Sequence, residues 1–209
     1  MASKVAVREG SDRLAFLPLL AVAGSSVVAL IVYVLSGTSL SVALAVTVAT
    51  STGAAAWMLR RSSGADRSRL ARRVWAGAAA GAVATLVYDV LRLAVVKLFG
   101  FRLWPFHVLE LFGQALVGSG RHGPLVWLAG GAFHVANGIG LGIAYALLFR
   151  PSLRTGVAWA LTLEVAMVSL YTPWLDLSAV LDEFFTVSLI GHLGYGTILW
   201  RLTSKCVGP

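Results

Sequence analysis

Long apolar runs separated by short polar connections recur along the whole chain. Six of them, at 14–35, 40–59, 74–96, 125–149, 157–171 and 184–202, read as helices that cross the hydrocarbon core of a bilayer, about 30 Å thick. The fifth is the shortest and extends back toward Thr155. A seventh run, 103–118, opens on Trp104-Pro105 and carries His107, Glu110, Gly113 and Gln114. It is too short and too polar to cross. The pattern predicts an all-α integral membrane protein of six transmembrane helices plus one short outer re-entrant or interfacial helix.

Composition agrees. Apolar residues make up 58% of the 209 and charged residues only 12%, with a mean hydropathy of +0.82. A soluble domain carries about 25% charged residues, so this chain lacks the charge to cover a water-facing surface. Disorder is excluded by the same apolarity. Lys4, Arg8 and Arg13 precede an apolar run with Ala21-Val22-Ala23 inside it, which imitates a secretory signal. The run continues through Val27 to Leu35, so an uncleaved first helix is expected.

The net charge is +8, from 17 basic and 9 acidic residues. Its placement points to a membrane rather than to nucleic acid. Lys4, Arg8 and Arg13, then the cluster Arg60, Arg61, Arg67, Arg69, Arg72 and Arg73, then Arg150, Arg154, Arg201 and Lys205 all fall on one side if 103–118 does not cross. The positive-inside rule makes that side the cytoplasm. The chain is therefore expected in the cell (inner) membrane, multi-pass, with both termini cytoplasmic. Asp176, Asp182 and Glu183 then fall in a solvated outer loop. The expected organisation is a cytoplasmic tail (1–13), a peripheral two-helix hairpin (14–59), an Arg-rich cytoplasmic loop (60–73), a four-helix bundle with its outer segment (74–202), and a second tail (203–209). Cys206 stands alone, which excludes an internal disulfide and any Cys-based metal site. Palmitoylation or a free thiol remains for it.

Small residues mark where helices approach closely in lipid. Gly77 and Gly81 lie in the third run. Gly130, Gly131, Gly138, Gly140 and Gly142 lie in the fourth, and Gly191, Gly194 and Gly196 in the sixth. Gly138-Ile139-Gly140 is no nucleotide loop, because no strand precedes it. Runs four and six both contain His-x-x-(Asn/Tyr)-Gly, as His134 to Gly138 and His192 to Gly196. Runs three and four join through Leu103-Trp104-Pro105-Phe106, and five and six through Thr172-Pro173-Trp174-Leu175. This pattern resembles an internal parallel duplication.

A charge near the bilayer centre costs at least about 2.5–3.5 kcal/mol, so ionisable residues inside these runs need a reason. They are Asp89 and Arg92, His107 and Glu110, His134 with Asn137, Glu164, and His192 with Tyr195. Four of these sets have i, i+3 spacing, which puts both side chains on one helix face. At about 1.5 Å per residue, Asp89, His134, Glu164 and His192 all lie roughly 10–14 Å below the outer surface. His122, between Gly120 and Gly123, reads as a solvated loop residue.

Several chemistries follow. His107, Glu110, His134, Glu164 and His192 provide the ligand types of a divalent metal such as zinc, iron or manganese. Such a metal would activate water or oxygen against a lipid-like substrate. Asp89, Arg92 and Glu164 are the candidate catalytic residues, with Arg92 suited to a phosphate or carboxylate head group. A proton- or ion-coupled transport path is the alternative, opposed by the near absence of ionisable residues in the inner half of the last four runs. A haem held between His134 and His192, and a scaffold without chemistry, complete the set. Ser169 and Ser188 are expected to bond the backbone. There is no serine elbow, phosphate loop or nucleic-acid signature.

Overall fold

The computed structural model describes residues 17–175 and 178–207, and within them the chain is helical throughout. Lys4, Arg8, Arg13 and Asp176, named above, lie outside the described residues. Eight α-helices follow one another: α1 (Leu17–Ala23), α2 (Ser25–Ser36), α3 (Leu40–Arg61), α4 (Gly64–Phe99), α5 (His107–Val117), α6 (Pro124–Leu148), α7 (Leu153–Leu175) and α8 (Leu181–Val207). A 3₁₀ turn at Ser178–Val180 leads into α8.

By length and apolarity, α3, α4, α6 and Leu153–Tyr171 of α7 can each cross a membrane, and the bent pair α1–α2 makes a fifth span if taken together. The six predicted spans are thus reduced to four or five on these criteria. The helix that falls short is α8. It is long enough, but Ser188, Gly191, His192, Gly194, Tyr195 and Gly196 lower its apolarity. Several of these are buried against neighbouring helices rather than facing outward.

Two boundaries differ from the sequence pattern for local reasons. The first run is broken at Gly24, where α1 and α2 meet at 62°. Gly24-Ser25-Ser26 is the kind of sequence that kinks helices, and the Ser25 hydroxyl donates to the carbonyl of Val22 at 2.8 Å. The Arg-rich segment expected as a loop is helical from Gly64. Ser63 caps that helix by accepting from the Asp66 amide at 3.1 Å and donating to its carboxylate at 2.6 Å. Asp66 in turn pairs with Arg69 at 2.9 Å. The result is one 36-residue helix, about 54 Å long and far longer than the hydrocarbon core.

Helices α4, α6, α7 and α8 run alternately up and down, so Arg150, Arg154, Arg201 and Lys205 share the end that carries Arg60–Arg73. At that end Arg73 donates to the carbonyl of Leu147 in the last turn of α6, at 3.1 Å. The four helices form a row in the order α6, α4, α8, α7, and the two ends of the row, α6 and α7, keep their backbones apart and meet through side chains such as Tyr145 and Thr155. Helices α1–α3 pack chiefly against the α6 side, and α5 folds back along α6 near the end opposite the arginines.

Glycines set these approaches. A Cβ on Gly81 would sit 2.6 Å from the carbonyl oxygen of Gly138, and one on Gly77 only 2.7 Å from that of Gly142. Gly156 meets the carbonyl of Gly196 at 2.5 Å in the same sense. Gly113 of α5 lies against the backbone of Val126 in α6, and Gly130 of α6 against that of Leu109 in α5. Gly81→Leu must therefore force α4 and α6 apart, and overpacking of this kind costs about 1–3 kcal/mol or more. Gly131→Leu, on the same α6 helix but facing open space, serves as the control. Thermal melting in detergent is expected to show a clear loss for the first substitution and little change for the second.

Candidate functional site

Residues at i, i+3, i+4 and i+7 share a helix face. On α4 those positions are Thr85, Tyr88, Asp89 and Arg92, and on α6 they are His134, Asn137, Gly138 and Leu141. All but Asp89 line one cavity of about 150 Å³, together with Leu163 and Met167 of α7 and His192 and Tyr195 of α8. Phe112, Phe133 and Trp174 stack into an aromatic layer beside it, with Phe112 also lining the cavity. Toward the arginine-rich end the bundle closes over the buried side chains of Ala80, Ala84, Tyr145 and Leu199.

Two carboxylate–imidazole pairs bridge neighbouring helices here. His134 Nε2 lies 3.1 Å from each carboxylate oxygen of Asp89, joining α6 to α4. His192 Nδ1 lies 2.7 Å from Glu164, joining α8 to α7. The second oxygen of Glu164 accepts from the Ser188 hydroxyl at 2.6 Å. Glu164 is 3% exposed, so a full charge there would be prohibitive without these partners. Between the pairs stands Tyr88, whose ring centre is 5.0 Å from that of His192 and 6.0 Å from that of His134. The Tyr195 hydroxyl donates to the Gly138 carbonyl at 2.6 Å.

Arg92 completes the set. It is 5% exposed and lies over the Tyr88 ring. One terminal nitrogen donates to the Pro105 carbonyl at 2.5 Å, and the other is 3.7 Å from Asp89. Its Nε is buried without a partner, as is Oδ1 of Asn137.

Asp89, Arg92, His134, Glu164 and His192 are thus brought together, as the sequence predicts. His107 and Glu110 are not. Glu110 pairs at 2.8 Å with His122, which is 71% exposed, and His107 is exposed at the start of α5. Helix α5 is amphipathic, and its polar face turns outward. Among the described residues no three His, Cys, Asp or Glu side chains are grouped to hold a metal ion, so the five-ligand set is not assembled. Each buried imidazole already has one nitrogen engaged by a carboxylate. The cavity is also below the about 300 Å³ at which ligand pockets usually begin.

Other roles change as well. Ser188 donates to Glu164 as well as to the backbone. Because the carboxylate, not the imidazole, is the middle member of Ser188–Glu164–His192, this is no nucleophilic triad. Glu183, expected in a solvated loop, accepts from the amide of Leu103 at 2.9 Å and ties the α4–α5 connection to α8. Tyr88 and the Pro105 carbonyl escape the sequence reading. Tyr88 is an ordinary apolar residue by pattern, and only its place beside Asp89 hints at the site.

The internal likeness is realised in matching register. Gly81, eight residues before Asp89, packs on Gly138, four after His134. Gly156, eight before Glu164, packs on Gly196, four after His192. Each helix pair therefore carries one acid, one imidazole and one glycine contact at equivalent positions.

Removing one partner of a buried pair leaves the other uncompensated, at about 3–5 kcal/mol. Glu164→Ala is expected to fall in that range by thermal or denaturant unfolding, with Glu164→Gln distinctly milder because it retains hydrogen bonding to Ser188 and His192. Equal losses for the two would show that Glu164 acts only by filling space.

Neither protein-family models nor curated proteins nor solved structures match the chain.

Proposed function

We propose that the chain is a six-span protein of the cell membrane whose cavity performs acid–base chemistry on the polar end of a small membrane-soluble molecule. The observation that carries this reading is the pair of carboxylate–imidazole dyads, Asp89–His134 and Glu164–His192, set around one cavity. A carboxylate fixes the tautomer and orientation of its imidazole, which suits general acid–base work. The apolar lining of the cavity suits a lipid-like ligand.

In this reading α8 and the bent α1–α2 pair are the remaining two spans, and α5 lies at the outer face. The arginine-rich end is cytoplasmic by the positive-inside rule, which puts the cavity in the outer half of the bilayer. The sole cysteine offers a direct test, since Cys206 is exposed. A membrane-impermeant maleimide is expected to label it only after cells are permeabilised. Conversely, Ser119→Cys in a Cys206→Ser background, at an exposed position beside α5, should label in intact cells. The reverse pattern would invert the orientation.

A through-membrane proton path is disfavoured by the packing below the cavity, where Ala80, Ala84, Tyr145 and Leu199 form a buried apolar and aromatic layer. Such a layer gives no chain of titratable groups for a relay. Wild-type protein, His134→Gln and His192→Gln can be incubated in vesicles made from lipids of the expressing cells. Mass spectrometry is expected to find at least one species altered by the wild type and left unchanged by both variants. Identical profiles, or a His192-dependent collapse of an imposed pH gradient, would overturn the reading.

A further inference from the structure

We infer that the molecule bound here is a single-chain amphiphile ending in a carboxylate, held by Arg92, with its tail leaving between α6 and α7. The inference rests on the reading above and specifies its ligand.

The head group follows from what Arg92 lacks. Its guanidinium is buried, and two of its three nitrogens are occupied by the Pro105 carbonyl and, at a longer 3.7 Å, by Asp89. The Asp89 carboxylate has both oxygens turned to His134, so it only partly offsets the guanidinium charge. Nε remains without an acceptor. A buried N–H of a charged group left unpaired is costly, and a carboxylate is the planar acceptor that fits the guanidinium fork. Asn137, another side chain with an unpartnered buried atom, lines the same cavity, and an amide supplies either an acceptor or two donors.

Charge selects among head groups. The guanidinium and both imidazoles face the cavity, while the two carboxylates lie behind the imidazoles they bond. A dianionic phosphate would bring a second negative charge close to Asp89 and Glu164. A cationic head would meet Arg92, and an alcohol would leave its charge unanswered. A head with a single negative charge answers the guanidinium with less repulsion from the carboxylates than a dianion meets.

Size and openings select the rest. A space of about 150 Å³ corresponds to roughly five waters at about 30 Å³ each. That holds a head group and its first methylenes, not a whole lipid. The remainder of the chain needs an apolar way out. On the side between α6 and α7 the cavity is walled by Leu141, Leu163 and Met167, with Val27 of α2, a helix that packs against both, alongside. This apolar wall is the route assigned to the tail.

Decanoate, decyl phosphate and decanol are suitable probes, titrated by calorimetry against the full chain in nanodiscs of neutral lipid, with empty nanodiscs as the blank. Decanoate is expected to bind one per chain, with decanol and decyl phosphate at least about tenfold weaker, the scale of one hydrogen bond to a charged group. Arg92→Gln should lose that preference, and Arg92→Lys should recover it only in part. Met167→Trp, which fills that route and leaves Arg92 intact, should abolish binding even if Arg92→Gln proves too unstable to purify. Decanol or decyl phosphate binding as tightly as decanoate, or Met167→Trp binding unchanged, would overturn the inference. Decanoate binding without any His-dependent change in lipids would sink the acid–base reading and leave this ligand assignment standing.

Discussion

An ionisable group inside an apolar bundle must find a partner on another helix, and most features of this molecule follow from that constraint. Asp89, His134, Glu164 and His192 sit within long apolar helices. None has a full partner on its own helix, apart from the distant contact of Asp89 with Arg92. Each therefore reaches across an interface, and hydrogen bonds at 2.7–3.1 Å require backbones that lie unusually close. The glycines at 81, 138, 156 and 196 provide that closeness. Lipid gives little hydrophobic drive for helix association, so close packing and polar bridges must supply it together. In this bundle the glycine contacts and the dyads lie on the same helix pairs, and each makes the other possible.

The bilayer reading of the sequence rests on runs of apolar residues, and the helices follow those runs closely. The four central ionisable residues were legible for the same reason: a charge within such a run has no other explanation than a partner or a function. The errors came where the pattern is ambiguous. His107 and Glu110 have the same i, i+3 spacing as Asp89 and Arg92, but they sit on a short amphipathic helix, where spacing cannot tell an inward face from an outward one. His122 is the exposed loop residue that the sequence suggests and is also the partner of Glu110. The helical start at Gly64 was written in Ser63-x-x-Asp66, a capping pattern overshadowed by the surrounding arginines. Tyr88 could not be found at all, because an aromatic residue in an apolar helix carries no signal until its neighbours are placed.

The two equivalent helix pairs show how one framework yields different chemistry. Three residues after its acid, α4 carries Arg92, whereas α7 carries Met167. Four residues before its imidazole, α8 carries Ser188, whereas α6 carries Gly130. Packing accounts for the second difference. Gly130 lies against the backbone of Leu109 where α5 folds onto α6, so no side chain fits there and Asp89 has no hydroxyl partner from that position. Ser188 meets no such helix and is free to bond Glu164. The Asp89 pair is consequently the more open one, 21% exposed at its carboxylate and beside a guanidinium. The Glu164 pair is sealed, 4% exposed at its carboxylate and bonded by a hydroxyl. The presence of α5 on only one half of the repeat thus gives the two dyads different surroundings, a guanidinium beside one and a serine hydroxyl beside the other.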